Sequence, residues 1–397
     1  MSAAAGIEPR PVRLWLIAGV LALLTGAATL SWLQPGEPDD FYTAPAGIED
    51  RAPGELLRSD RLTEGLPDGV RGWRVLYRST DGDGDATAVS GMVLVPDERP
   101  EAPRPLVSVV HGTTGFAQQC APSLSPRPLA RLPGAQRALA AGYAVAATDL
   151  PGLGTPGPHP YLIGDVSAHA VLDAARAATA LAAVDPDRHA IWGFSQGGHA
   201  ALFAGAAVPQ YAPELALDGV VAFAPPTDLT ALIDRSEGTL VGTLLLVNAA
   251  VAWSELYDDL HLEDLIAEGS VADAQELGSR CLDGPSLPVA ALGSIQLRRD
   301  VEPLDPQRTG RWLDLLEQNS PTAPLAAPLL VLQGEEDFVI RPEVTQAHVA
   351  ERCARGEQVE LRMITAAEHL TVVWRSDQDA LEWTEDRFAE RPLTGGC

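Results

Sequence analysis

The block Ile191-Trp192-Gly193-Phe194-Ser195-Gln196-Gly197-Gly198-His199 constrains this chain more than any other, because in it an apolar strand turns directly into an alanine-rich helix around a G-x-S-x-G. A serine on such an elbow sits in strained backbone and needs small neighbours; Gly193 and Gly197 have no Cβ to collide with theirs. The turn lifts the Ser195 hydroxyl clear of the sheet. It also leaves the first helical N–H groups without intrahelical partners, and that of Gln196 points where an acyl oxygen would develop negative charge.

The rest of the chain repeats the same rhythm. Continuous apolar runs at Leu106 to Val110, Tyr143 to Ala147, Ala190 to Gly193, Val220 to Ala224 and Leu329 to Leu332 read as strands buried on both faces. They alternate with helical stretches such as Ser167 to Ala183 and Gln196 to Ala207, the second expected to stop at Val208-Pro209. A mostly parallel, doubly wound sheet follows. Two extended runs before it, Trp73 to Ser79 and Ala88 to Val95, flank Asp81-Gly82-Asp83-Gly84 and predict an antiparallel hairpin at its edge. Between Pro225-Pro226 and Pro321 the rhythm breaks for about a hundred residues, too long for a plain loop. This stretch reads as an inserted helical cap, with the uncharged Thr239 to Trp253 covering an apolar site. The expected organisation is an N-terminal segment at 1–36, a linker or wrapping arm at 37–69, core at 70–226, cap at 227–321 and core again at 322–397.

After Arg10 and Arg13 no charge occurs from Leu14 to Gly36, which reads as export by a signal peptide or as an uncleaved membrane anchor. The catalytic part would then lie outside the cytoplasm. In an oxidising compartment, Cys120, Cys281, Cys353 and Cys397 predict two disulfides with three pairings open. A formal net charge of -26 repels phosphate backbones, so no nucleic-acid partner is expected.

A serine hydroxyl needs a base and an orienting carboxylate to act as a nucleophile, and on a serine elbow these follow in the order acid, then His. After Leu329 to Leu332 comes Gln333-Gly334-Glu335-Glu336-Asp337-Phe338, and after Val359 to Ile364 comes Thr365-Ala366-Ala367-Glu368-His369. Three acids compete in the first turn; by analogy with the common G-x-x-D followed by an apolar residue, Asp337 is the acid and His369 the base. The loop His111-Gly112-Thr113-Thr114-Gly115 offers the Thr113 N–H as second oxyanion donor, with Thr114 in reserve. Gly152-Leu153-Gly154-Thr155-Pro156-Gly157 fits G-x-G-x-x-G, but Pro156, Pro158 and Pro160 prevent the helix a pyrophosphate would need. Neither a nucleotide, a metal nor another cofactor is indicated.

Together with Cys120-Ala121-Pro122-Ser123, Asp149-Leu150-Pro151-Gly152-Leu153-Gly154-Thr155 and Asn319-Ser320-Pro321, these blocks resemble the secretory lipase (lipase A-like) family of α/β hydrolases. The resemblance spans most of the chain from about Val70 onward. It implies the α/β-hydrolase fold, a Ser195, Asp337, His369 triad, a cap over an acyl-chain site and disulfides Cys120 to Cys281 and Cys353 to Cys397. The expected substrate is a lipid or small-molecule ester. A short-chain esterase, an acyltransferase on the same triad or a catalytically silent binding module are the alternatives. Leu370 departs from the small residue frequent after the histidine in this fold.

Overall fold

Each continuous apolar run becomes a strand with neighbours on both faces. The structure, a computed structural model, describes residues 37–236, 238–282, 287–302, 304–305, 309–393 and 395–397. The N-terminal apolar segment lies outside the described residues, and among those described no helix is long and apolar enough to cross a membrane.

The strands β1 (Leu56–Leu62), β2 (Val70–Thr80), β3 (Ala86–Pro96), β4 (Arg104–Val110), β5 (Ala144–Thr148), β6 (Val184–Phe194), β7 (Leu217–Phe223), β8 (Leu329–Gly334) and β9 (Val359–Ile364) form one sheet. Their order is β1-β2-β3-β5-β4-β6-β7-β8-β9. The pairs from β5 to β9 are parallel, and β1, β2 and β3 join antiparallel. Side chains alternate across this sheet with period two. Ile191, Val220, Ala222, Leu329 and Val331 face one core with α2 (Gly164–Leu181), α3 (Gln196–Tyr211) and α9 (Pro342–Ala354). Trp192, Val221, Phe223, Leu330 and Leu332 face the other with α1 (Ala135–Ala140) and α10 (Val372–Phe388).

The β2–β3 hairpin closes with Thr80 opposite Ala86, its turn held by the Asp81 carboxylate, which accepts from the N–H groups of Asp83 and Asp85. Two local readings differ from the expectation. Residues 37–69 are more than an arm, since they supply edge strand β1. Its solvent-facing stretch from Ser59 to Arg61 is exposed, so the apolar texture of the buried strands is missing there. And α3 does not stop at Val208 but continues through Pro209 to Tyr211. The carbonyl of Gly205, which a proline four residues on leaves without its helical donor, accepts instead from the Ala326 N–H at 3.2 Å.

Between β7 and β8 the chain forms α4 (Leu229–Ser236), α5 (Leu240–Leu256), α6 (Val271–Gly278), α7 (Leu287–Leu297) and α8 (Gly310–Gln318). The Thr239 side chain caps α5 by accepting from the Gly242 N–H. These helices share an apolar cluster of their own, including Val247, Trp253, Leu277 and Trp312, that also takes in Phe116, Tyr161 and Ile163 from loops of the sheet domain. Where the chain returns to the sheet, buried Arg352 donates to the carbonyls of Pro321 and Ala323 and pairs with Glu357. Disulfides join Cys120 to Cys281 and Cys353 to Cys397, with Cα separations of 5.3 and 5.5 Å.

Candidate active site

Ser195 sits between the last residue of β6 and the first of α3 with φ 52° and ψ -118°, a conformation L residues other than glycine seldom adopt. Both sides hold it there. Its N–H donates to the Phe223 carbonyl at 2.9 Å, and its carbonyl accepts from the His199 N–H at 3.0 Å. A Cβ on Gly193 would lie 2.0 Å from the Gly197 carbonyl oxygen; one on Gly197 would lie 2.1 Å from that of Val110 and 2.6 Å from that of His111. The helix N-terminus can therefore meet the end of β4 only through bare Cα atoms, and this contact brings the loop His111 to Gly115 against the elbow. Gly112 packs there on the Phe194 ring.

His369 follows β9 in a turn tied to the acidic turn after β8: the Glu335 N–H donates to the Ile364 carbonyl and the Glu336 N–H to that of Ala367. His369 Nε2 lies 3.0 Å from Ser195 Oγ, and His369 Nδ1 lies 2.8 Å from Asp337 Oδ2. With the Nδ1–H donated to the carboxylate, Nε2 is left as acceptor for the hydroxyl. Of the three competing acids, Glu335 and Glu336 are exposed and Asp337 is buried. Asp337 Oδ1 accepts from the N–H groups of Val339 and Ile340, each at 2.8 Å, and Oδ2 accepts from Gln333 Nε2 at 3.2 Å.

Gln333 is in turn oriented by the Thr345 hydroxyl, which donates to its Oε1, and by the Ile340 carbonyl, which accepts from its Nε2. Neither Gln333 nor Thr345 belongs to a motif that marks it in the sequence as a site residue. The available signal was a glutamine ending an otherwise apolar strand, since a fully buried amide needs partners for every polar atom.

Gln196 is the first residue of α3, directly after the serine, and Thr113 lies in the loop after β4. The Gln196 side chain donates to His159 Nε2 at 2.8 Å, and His159 Nδ1 donates to the Pro151 carbonyl at 2.8 Å. Thus the proline-rich segment meets the helix N-terminus through His159. The Thr113 hydroxyl pairs with the Tyr161 hydroxyl at 3.1 Å. Tyr161 also lines an apolar cleft between the sheet domain and α4–α5, together with Leu229, Leu232, Leu246 and Trp253. That cleft is small, about 30 Å³; a larger, more polar groove is lined by Phe116, Gln118, Glu255, Glu276 and Cys281, and none of Ser195, Asp337 and His369 lines either one. No group of three or more His, Cys, Asp or Glu side chains with metal-binding geometry occurs among the described residues.

Burial, the largest cause in each case, pushes His159, His189 and His199 down to about 4 and His348 to about 3. In the unfolded chain they titrate near ~6.5, so below that pH the unfolded state takes up more protons than the folded one. Their stabilising contribution is fully present above ~6.5 and is lost as pH falls toward ~4, by up to about 1.4 kcal/mol per pH unit for each. Burial raises the carboxyls of Asp149 and Asp173, and that of Asp218 to about 6, so these take up protons first in the folded state and partly offset the imidazoles. With four imidazoles against them the melting temperature is expected to drop between pH 7 and pH 5, and a rise over that range would contradict the burial of neutral histidines.

A sequence profile of the secretory lipase family matches residues 134–396. A probable inactive lipase of Mycobacterium tuberculosis (strain CDC 1551 / Oshkosh) is 29% identical over 387 residues, 90% of this chain and 83% of that protein. Lipase A of Arthroderma benhamiae is 27% identical over 396 residues, covering 91% of this chain and 82% of its own length. Among solved structures, Candida antarctica lipase A aligns with a TM-score of 0.76 at 21% identity, over 90% of this chain and 86% of that one. The fold is that of the α/β hydrolases, with a mostly parallel sheet between helices.

Proposed function

The chain belongs to the secretory lipase family, and from that premise we propose that it hydrolyses lipid esters through an acyl-enzyme on Ser195. The observation that carries this reading is the unbroken hydrogen-bonded line from Ser195 Oγ through His369 to Asp337. His369 Nε2 takes the hydroxyl proton as Oγ attacks the ester carbonyl carbon, and Asp337 stabilises the imidazolium. The negative oxygen rests on the N–H groups of Thr113 and Gln196. The imidazolium then protonates the departing alkoxide, and the alcohol leaves. Water, deprotonated by the same Nε2, attacks the acyl carbon, and the returning proton restores Ser195 as the carboxylic acid departs.

Two features support a lipid rather than a small soluble ester. The helical insertion, which we read as the cap, builds an apolar cluster of its own that reaches Tyr161, whose hydroxyl pairs with that of Thr113. And the residues that follow the acid and the base present large apolar side chains to solvent, Phe338 at 54% and Leu370 at 68% exposed, as does Trp374 in the first turn of α10 at 76%. An enzyme facing lipid outside the cytoplasm fits its two disulfides, and the N-terminal apolar segment would export or anchor it.

A series of aryl esters tests the substrate class. The rate constant kcat/KM is expected to rise from acetate to octanoate, and a preference for acetate would make the chain a short-chain esterase with the same mechanism. Product analysis in mixed water and alcohol separates hydrolysis from acyl transfer. The M. tuberculosis relative, named a probable inactive lipase, makes a silent scaffold worth testing directly. Folded protein that a fluorophosphonate fails to label at Ser195 would establish that reading instead.

A further inference from the structure

The loop proposed to hold the oxyanion is gripped from outside the sheet domain. Within it, Gly115 has φ 138°, and a Cβ there would lie 2.5 Å from Cys120 Sγ and 2.8 Å from the Cys281 Cα. Gly115 and Cys281 form an isolated antiparallel bridge, and the Leu282 N–H donates to the Thr114 carbonyl at 2.8 Å. The Gln119 amide donates to the Ser279 carbonyl at 3.0 Å, and the disulfide closes the contact between residues 161 positions apart. The segment Ser279 to Leu282, which directly follows α6, therefore lies along the loop that carries Thr113.

The geometry points to this segment as a positioning strap for the oxyanion loop, with the Cys120–Cys281 bond as the link that holds it in place. The inference rests on the reading of Ser195 as nucleophile and Thr113 as oxyanion donor. A loop with glycines at both 112 and 115 has little stiffness of its own, and an oxyanion donor acts well only if it is already aimed when charge develops. A dithiol reductant would convert the Cys120–Cys281 bond to two thiols, itself becoming a cyclic disulfide, and would leave only hydrogen bonds to hold the strap. The chain would then fold with a slack oxyanion loop and turn over slowly until oxidised, so that full activity coincides with arrival in an oxidising compartment.

The test compares oxidised wild type, the double variant Cys120→Ser/Cys281→Ser and Cys397→Ala with and without a dithiol reductant, using a short soluble aryl ester and, in parallel, thermal unfolding. The double variant is expected to keep KM within about 3-fold while kcat falls about 10- to 100-fold, below the ~10²- to 10³-fold cost of losing a donor outright. A double variant that melts lower but retains kcat would overturn the proposal, because the bond would then serve stability alone. Should that variant fail to fold, Cys397→Ala, whose one remaining disulfide is Cys120–Cys281, decides when measured with and without a dithiol reductant: a kcat that reduction leaves unchanged overturns the strap, and a fall at constant KM that reoxidation reverses supports it. If oxidised wild type shows no turnover that depends on Ser195, the underlying reading fails instead, and Ser195→Ala measured alongside makes that distinction.

Discussion

Ser195→Ala is expected to lower kcat/KM for ester hydrolysis by at least ~10⁴-fold, with the fold unchanged. The size follows from what is removed: without Oγ no acyl-enzyme can form, and only the oxyanion donors and substrate binding remain to assist direct attack by water. The backbone has no reason to relax. Alanine at φ 52° meets the same strain as serine, and the bonds that hold position 195, to the Phe223 carbonyl and from the His199 N–H, are main-chain. One side-chain hydrogen bond, from Oγ to His369, is lost, worth about 1 kcal/mol or less at a partly buried site. Initial rates on an aryl ester together with a melting curve check both halves. Retention of most of the activity would remove Ser195 from the mechanism.

Asp337→Asn is expected to lower kcat by about 10⁴-fold, through the tautomer of the base rather than through a gap in the structure. Two main-chain donors, the N–H groups of Val339 and Ile340, aim at Oδ1, so an asparagine must put its carbonyl oxygen there. Its NH₂ then faces His369 Nδ1, which can only accept from it. The imidazole proton moves to Nε2, and the group that should take the Ser195 proton now carries one of its own. Gln333 Nε2, which donates to the carboxylate in the native chain, would face the same NH₂, so a modest loss of stability accompanies the loss of rate. Glu335→Gln and Glu336→Gln should leave kcat within about 2-fold, because both side chains are exposed and screened. Rate measurements on these variants discriminate directly: an Asp337→Asn protein within 10-fold of wild type would show that His369 is oriented by something else.

Much of this site was legible in the linear order of residues because the signals are local. The elbow is written into nine consecutive residues, since strand, serine and helix adjoin and the glycines are needed at Gly193 and Gly197 for contacts made by immediate neighbours and by the end of β4. His369 stood out by following the last apolar run. Asp337 was separable from Glu335 and Glu336 only by analogy; the structure buries the first and leaves the other two in solvent. Gln333, Thr345 and His159 were not read as members of the site, because what they do depends on which atoms across a turn or loop remain in need of a partner. Edge strand β1 escaped for a related reason. It pairs along one side only, so its residues carry the polar texture of a linker.

By itself the sequence determined the alternation of buried strands and helices, the place of the serine turn and the chain order of its partners, because periodicity and small-residue requirements act over a few neighbouring positions. Cysteine spacing left three pairings open, and only resemblance selected one. The tertiary structure decided which backbone groups meet across long separations: Leu282 on Thr114, Ala326 on Gly205, Cys281 on Gly115. Such contacts have no local signature, since an N–H or a carbonyl is common to nearly every residue and its partner is chosen only when the sheet, the helices and the insertion have packed.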